Sequence, residues 1–221
     1  MIILLFGPPG SGKGTQARLI SEWLSVPSLS TGDMLRSEAR QDSDLGRKIR
    51  ETLAEGRYVS DEMVNVIVLQ QLERNPASGL VLDGYPRTVR QAVYLENALL
   101  ERGFPPPVAV HLDVPTEQIV ERLSSREQCP ACRRIFNLLQ QQPRSPGVCD
   151  DCSGSLVRRD DDKPDVIRER LHTYHELTGP VLAHYTGANY LPLDGNRKPD
   201  AVFRDIQVSL DPFHKRWIAD R

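Results

Sequence analysis

Long apolar runs are missing from this 221-residue chain, and no stretch reaches the length needed to span a bilayer. The one apolar run at the N-terminus stops at Phe6 and meets Gly-Pro-Pro-Gly, which is too short for a secretory leader. A cytoplasmic enzyme is therefore expected. A surplus of one charge is missing as well: the formal net charge of −2 gives no global attraction to nucleic acid or an anionic membrane. Lysine is scarce, confined to Lys13, Lys48, Lys163, Lys198 and Lys215, so most positive charge is arginine. Arginine suits bidentate phosphate recognition, although base composition of a genome also raises it. No internal repeat or low-complexity tract occurs, and the length suits one buried core with small insertions.

What is present starts with Ile2-Ile3-Leu4-Leu5-Phe6, a run of strand formers, followed by Gly7-Pro8-Pro9-Gly10-Ser11-Gly12-Lys13-Gly14-Thr15 and a helical stretch from Gln16 to Ile20. Strand, glycine-rich turn and helix in that order form a phosphate cradle, the P-loop. Glycines let successive N–H groups face one anion, the helix N-terminus adds positive potential, and Lys13 brings a full charge. Such a turn can be merely a turn, but its place directly after a strand favours the cradle. Most cradles of this kind carry Ser or Thr straight after the lysine; here Gly14 intervenes before Thr15.

The cysteines are few and paired. Cys129-Pro130-Ala131-Cys132 and Cys149-Asp150-Asp151-Cys152 are separated by sixteen residues and hold every cysteine in the chain. Two such knuckles offer four thiolates to one tetrahedral metal. Zinc is the expected occupant, and iron takes the same ligand set. The metal would act as a structural staple, or as part of a ribbon that touches nucleic acid. Elsewhere, Leu80-Val81-Leu82-Asp83 reads as a buried strand ending in a carboxylate, Val108 to Val114 as another strand, and Tyr190 to Asp194 as the last. Met63 to Leu72 and Thr116 to Leu123 read as helices, Asn75 to Gly79 as a turn, and Val202 to Leu210 as the final helix. Arg122 and Arg126, four apart, are expected on one helix face, and His111 is expected as a sheet histidine without a catalytic role.

Gly-x-Pro-Gly-x-Gly-Lys-Gly-Thr-Gln resembles the opening of the nucleoside monophosphate kinases, above all the adenylate kinases of the long-lid bacterial type with a four-cysteine zinc lid. Further matches follow in order: Ser30-Thr31-Gly32-Asp33-Met34-Leu35-Arg36, Gly56-Arg57-Tyr58-Val59-Ser60-Asp61-Glu62, Asp83-Gly84-Tyr85-Pro86-Arg87-Thr88, and Asp194-Gly195 after the last strand. The resemblance runs from Met1 to about Leu210. It implies an α/β fold, a P-loop NTPase-type parallel sheet flanked by helices. Residues 1–29, 60–121 and 162–221 would form the core, 30–59 an AMP-binding insertion, and 122–161 a zinc-stapled lid.

It also implies the reaction MgATP + AMP ⇌ 2 ADP, run by substrate alignment, lid closure and cationic charge without a general base. On this resemblance ATP is held by Gly10, Ser11, Gly12, Lys13, Gly14, Thr15, Arg122, Arg126, Gly195 and Arg197, with Lys198 an alternative to the last. AMP is held by Thr31, Arg36, Arg57, Tyr58, Val59, Gly84, Tyr85, Pro86, Arg87, Gln91, Arg159 and Arg170. Lys13, Arg87, Arg122, Arg126, Arg159 and Arg170 supply charge to the transferred phosphoryl group, and Asp83 orients the shell of a Mg2+ ion. Arg158 would take the place of Arg159 if the register slipped by one. Tyr58 stands where the family keeps a smaller apolar residue, and Tyr85 where it keeps Phe. A monomer without nucleic-acid or membrane partners is expected. Two rivals stay open: UMP or CMP as acceptor, against which Thr31 and Gln91 speak, and a nucleotide sensor whose metal ribbon binds nucleic acid, against which the charge balance speaks.

Overall fold

A computed structural model describes residues 1–74, 79–139 and 141–219. The turn expected at 75–79 lies outside the described residues apart from Gly79. The central sheet is parallel, in the order β2 (Ser28–Ser30), β3 (Leu80–Asp83), β1 (Ile2–Phe6), β4 (Val108–Asp113), β7 (Tyr190–Asp194). β1 is buried at all five positions, as expected of a strand covered on both faces. Its alternation sorts the core into two layers. Ile2, Leu4 and Phe6 pack with Leu29, Leu35, Val68, Leu82, Leu95 and Val181. Ile3 and Leu5 pack with Ile20, Val110, Val202 and Ile206 on the opposite face. Each such side chain, fully buried, contributes about 1.5–3 kcal/mol. Pro192 lies within β7, which among the described residues pairs with β4 alone; a sheet edge is where a residue without an N–H is tolerated.

Helix α1 (Lys13–Leu24) follows β1 directly, and α2 (Thr31–Glu38) follows β2. The cap of α2 is Ser30, whose hydroxyl accepts from Asp33 N at 3.3 Å. Thr31 is instead the first helical residue and donates to Gly84 O at 2.8 Å, tying α2 to the turn after β3. Helices α3 (Asp44–Ala54) and α4 (Asp61–Arg74) complete the β2–β3 crossover, and α5 (Val89–Glu101) the β3–β4 one. Helix α6 (Thr116–Ser124) leads into a separate antiparallel pair, β5 (Arg126–Gln128) and β6 (Ile135–Asn137).

Two expectations need correction here. Arg122 and Arg126 do not share a helix face. The Ser124 and Ser125 hydroxyls donate to Glu121 O at 3.0 and 2.8 Å, closing α6, and Arg126 opens β5. The last helix is also longer than expected: α9 runs Pro199–Ala219, through Pro212. Pro212 lies on the exposed side of α9, and the carbonyl whose bond it forgoes belongs to exposed Val208, where solvent is at hand. Phe213 and Trp217 carry the helix onward by packing against the second core layer. Between β6 and α9 lie α7 (Pro164–Thr173), a π-helical turn at Tyr174–Thr178, and α8 (Gly179–His184). Among the described residues no helix is long and apolar enough to cross a membrane.

Candidate active site

Parallel strands carry their ligands at the carboxyl ends, and there β1 runs into the glycine turn. Gly7 has φ +143°, and a Cβ on it would meet Leu112 O at 2.7 Å, so the turn passes too close to β4 for any side chain. Gly10, at φ +83°, approaches Leu123 of α6 equally closely, which seats the turn on that helix. Lys13 reaches back over the turn and donates to Gly7 O at 2.6 Å and Pro8 O at 2.9 Å. Asp83 ends β3 beside it, 3.4 Å from where a Cβ on Gly14 would stand. A Cβ at position 14 would stand in ordinary contact with that carboxylate and with Ile135, so Gly14 lies between the turn and both of them.

The turn forms the floor of a cleft of ≈ 1180 Å3. The side chains of Lys13, Arg36, Arg57, Arg87, Arg122, Arg126, Arg159, Arg170, Arg197 and Lys198 line it, against the carboxylates of Asp33, Asp83, Asp161 and Asp200. That surplus stands out in a chain whose net charge is −2. The arginines come from separate elements: Arg36 from α2, Arg87 from the β3–α5 turn, Arg122 from α6, Arg126 from β5, Arg170 from α7. Arg159 precedes a short turn at Asp160–Asp162 and lines the cleft, whereas Arg158 is exposed and absent from the lining.

Carboxylates hold this cluster together. Asp162, with a fully buried side chain, accepts from Arg126 Nε at 2.8 Å and Nη2 at 2.6 Å, and from Arg170 at 3.1 Å. Removing one partner of a buried pair of this kind leaves an uncompensated charge and costs about 3–5 kcal/mol. Asp161 lies 3.1 Å from Arg170 and 3.7 Å from Arg36. Asp33 pairs with Arg36 and lies 3.8 Å from Arg159. Arg122 donates to Gly195 O at 3.1 Å, joining α6 to the turn after β7.

Burial sets the ionisation pattern. It pushes Lys13 down to about 8, with Arg87, Arg170 and Arg126 adding to the shift and Asp83 opposing it. Burial likewise pushes Asp83 up against the pull of Lys13 and Arg87, and lowers Arg159 to about 9 with help from Arg126 and Arg36. Burial works against the carboxylates of Asp33 and Asp161 too, yet the guanidinium groups beside them bring both below the usual range. A set of cations crowded and buried in this way, only partly offset by its carboxylates, favours a polyanion.

The remaining residues singled out in the sequence divide into two sets. Gly10, Ser11, Gly12, Gly14, Thr15, Tyr58, Gly84, Pro86 and Gly195 line the cleft. Thr31, Val59, Tyr85 and Gln91 do not; they are buried behind it. Tyr85 donates to Asn65 Oδ1 at 2.6 Å, and Gln91 bridges Asp61 and the Arg87 N–H at 2.7 and 2.8 Å. His111 sits in β4 with Nδ1 2.8 Å from the Tyr190 hydroxyl, a sheet contact away from the cleft. Sequence reading missed Tyr174 and Thr178 of the π turn, and Ile135, Asn137 and Gln141 near β6, all of which line the cleft. These residue types carry no signal of their own. Asp33, which also lines the cleft, lay with Ser30, Gly32 and Leu35 inside the Ser30–Arg36 motif.

The four cysteine sulfurs lie within 4.8 Å of one another, with Cys129–Cys152 and Cys132–Cys149 at 3.4 Å. That is too long for a disulfide bond and near the ~3.8 Å edge of a tetrahedron of zinc-bound thiolates. Backbone N–H groups of Cys132 and Ala131 bring Cys129 down to about 7. Four thiols this close ionise together only around a cation. The apolar cluster beneath them is Cys129, Phe136 and Cys149 with Leu156, too small to hold the segment alone. The donor set fits zinc.

Comparison with known proteins gives one answer along nearly the whole chain. A family model described as Adenylate kinase matches residues 5–190. An adenylate kinase from Syntrophomonas wolfei subsp. wolfei is 41% identical over 213 residues, covering 96% of this chain and 99% of that protein. One from Kosmotoga olearia is also 41% identical with the same coverage, and one from Fervidobacterium nodosum is 37% identical over 98% of this chain and 100% of its own length.

Proposed function

This chain belongs to the adenylate kinase family, and from that membership we propose how its own residues run the reaction of an ATP:AMP phosphotransferase, MgATP + AMP ⇌ 2 ADP. The observation that carries the proposal is the convergence of Lys13 and six arginines from separate elements on one cleft at the glycine turn. Phosphoryl transfer spreads negative charge over the equatorial oxygens, and alignment with fixed positive charge is what it asks of a protein.

The glycine turn and Lys13 hold the β- and γ-phosphates of ATP, with Arg122 and Arg126 on the transferred group. The turn at Gly195–Lys198 borders the adenine. Arg36 grips the AMP phosphate, and Arg87, Arg159 and Arg170 bridge acceptor and donor. An AMP phosphate oxygen is already a nucleophile, so no side chain needs to remove a proton. Asp83, at the end of β3 beside Lys13, is the residue that would hold the water shell of Mg2+, which supplies charge to the phosphates when bound. Thr31, Tyr85 and Gln91 act from behind the cleft wall and fix the backbone that meets AMP.

Residues 1–29, 60–121 and 162–221 serve as core, 30–59 as the AMP-binding insertion and 122–161 as a zinc-stapled lid; closure excludes water that would otherwise take the phosphoryl group. The enzyme acts as a monomer in the cytoplasm, without nucleic-acid or membrane partners. The test is ADP formation by Lys13→Ala and Arg87→Ala, with AMP, UMP and CMP compared as acceptors in the parent. Each variant should lose roughly 100-fold or more in kcat, the size seen when one transition-state donor is removed, with circular dichroism unchanged. Near-parent turnover in either, or a preferred pyrimidine acceptor, overturns the corresponding assignment.

A further inference from the structure

We propose that Tyr58 is a positioning residue for Arg87, holding that arginine by both its side chain and its main chain; the inference rests on the reading of Arg87 as the bridge between substrates. The Tyr58 ring lies under the Arg87 guanidinium, with Cζ 4.8 Å from the ring centroid, inside the range of a cation–π contact. At its far end the Tyr58 hydroxyl is 3.0 Å from Thr178 Oγ1. Thr178 in turn donates to the Arg87 carbonyl at 3.0 Å. A threonine hydroxyl has one hydrogen, and here Arg87 O receives it, so Tyr58 is the donor in the other bond. One tyrosine thus closes a ring of contacts that starts and ends on Arg87.

The guanidinium is otherwise fixed at one atom only. Its Nε donates to Gly84 O at 2.7 Å, and among the described residues no protein acceptor takes its terminal N–H groups. Those groups are the ones a phosphate engages bidentately. With Nε tied below and one face covered by the Tyr58 ring, the fork keeps one orientation and loses less freedom when phosphate arrives. Thr178 belongs to the π turn and is 3% exposed, so its hydroxyl needs both partners it has. Tyr58 itself lines the cleft. Tyrosine at position 58, half-buried on the return loop between α3 and α4, supplies both the face and the hydroxyl.

The experiment measures kcat, KM for AMP and for ATP, and thermal midpoint in Tyr58→Leu, Tyr58→Phe and Thr178→Val, alone and combined with Arg87→Ala. Tyr58→Leu should lower kcat/KM for AMP by about three- to thirty-fold, the span of a partly desolvated cation–π contact, with KM for ATP within about twofold. Tyr58→Phe keeps the ring and should recover most of that loss. Thr178→Val, which serves also if Tyr58→Leu does not fold, should cost about two- to tenfold, the range of one hydrogen bond. On the Arg87→Ala background Tyr58→Leu should cost nothing further. An unchanged kcat/KM in Tyr58→Leu, an equal loss with and without Arg87, or a change confined to the thermal midpoint would overturn the proposal. Near-parent turnover in Arg87→Ala alone would instead sink the underlying reading of Arg87, and this inference with it.

Discussion

Lys13 was legible from the glycine turn alone, but its environment was not. Asp33 lies inside the Ser30–Arg36 motif with no part of its own, and Asp161, in a run that by itself reads as a solvated turn, is placed by the resemblance with Asp162 at the hinge of the lid. Only folding shows that both carboxylates face buried arginines from other elements. The same burial gives Lys13 a pH signature. With its value brought from 10.5 to about 8, the unfolded chain holds a proton that the folded one has lost between those limits. Folding stability therefore rises with pH across that window, and the cost of burying the charge is fully present below it. Activity follows the opposite course, because the charged form is the useful one. The kcat/KM profile, which reports the free enzyme, should fall above about pH 8, while kcat should persist to higher pH because bound phosphate restores the lysine's proton affinity. Parallel pH profiles of the two parameters check this, and identical limbs would contradict it.

Among elements, the strands were the most readable. β1, β3, β4 and β7 each present a short apolar run closed by a glycine, a carboxylate or a proline-rich turn, and all fell within a residue or so of expectation. The ends of α6 and α9 were not readable. Ser125 gives no unambiguous stop before Arg126, and Pro212 looks like a stop that packing of Phe213 and Trp217 overrides. The cysteine segment was legible in its chemistry, since two knuckles need no tertiary context to define a tetrahedral donor set. With its apolar cluster so small, its folding free energy must come from the metal. Metal analysis should find one equivalent of zinc per chain. Cys149→Ser, or stripping by a strong chelator, should lower turnover and thermal midpoint together while helical circular dichroism persists. A metal-free protein of undiminished midpoint and turnover would refute the role.

At the scale of the whole molecule, the alternation of strand and helix announced a parallel sheet, but the order β2-β3-β1-β4-β7 depends on pairings between distant segments that no local pattern encodes. The resemblance ended near Leu210, so the last turns of α9 had no assigned function, only the expectation that Phe213 and Trp217 pack on the core. They now have one in stability: Trp217 and Phe213 sit against the layer that holds Trp23 and Phe203. Trp217→Ala should cost about 2 kcal/mol for a partly buried aromatic, or roughly 4–8 °C in thermal midpoint for a chain of this size, with kcat within about twofold. A loss of turnover without a shift in midpoint would place this helix end in the reaction after all.

Asp33 and Asp161 already partner the very arginines that the proposed reaction assigns to the phosphates. On that reading capture would be an eviction, in which the phosphate wins only the difference between itself and a carboxylate. The evicted groups would act as a return spring, so that the same two side chains that make entry less favourable would favour the departure of ADP.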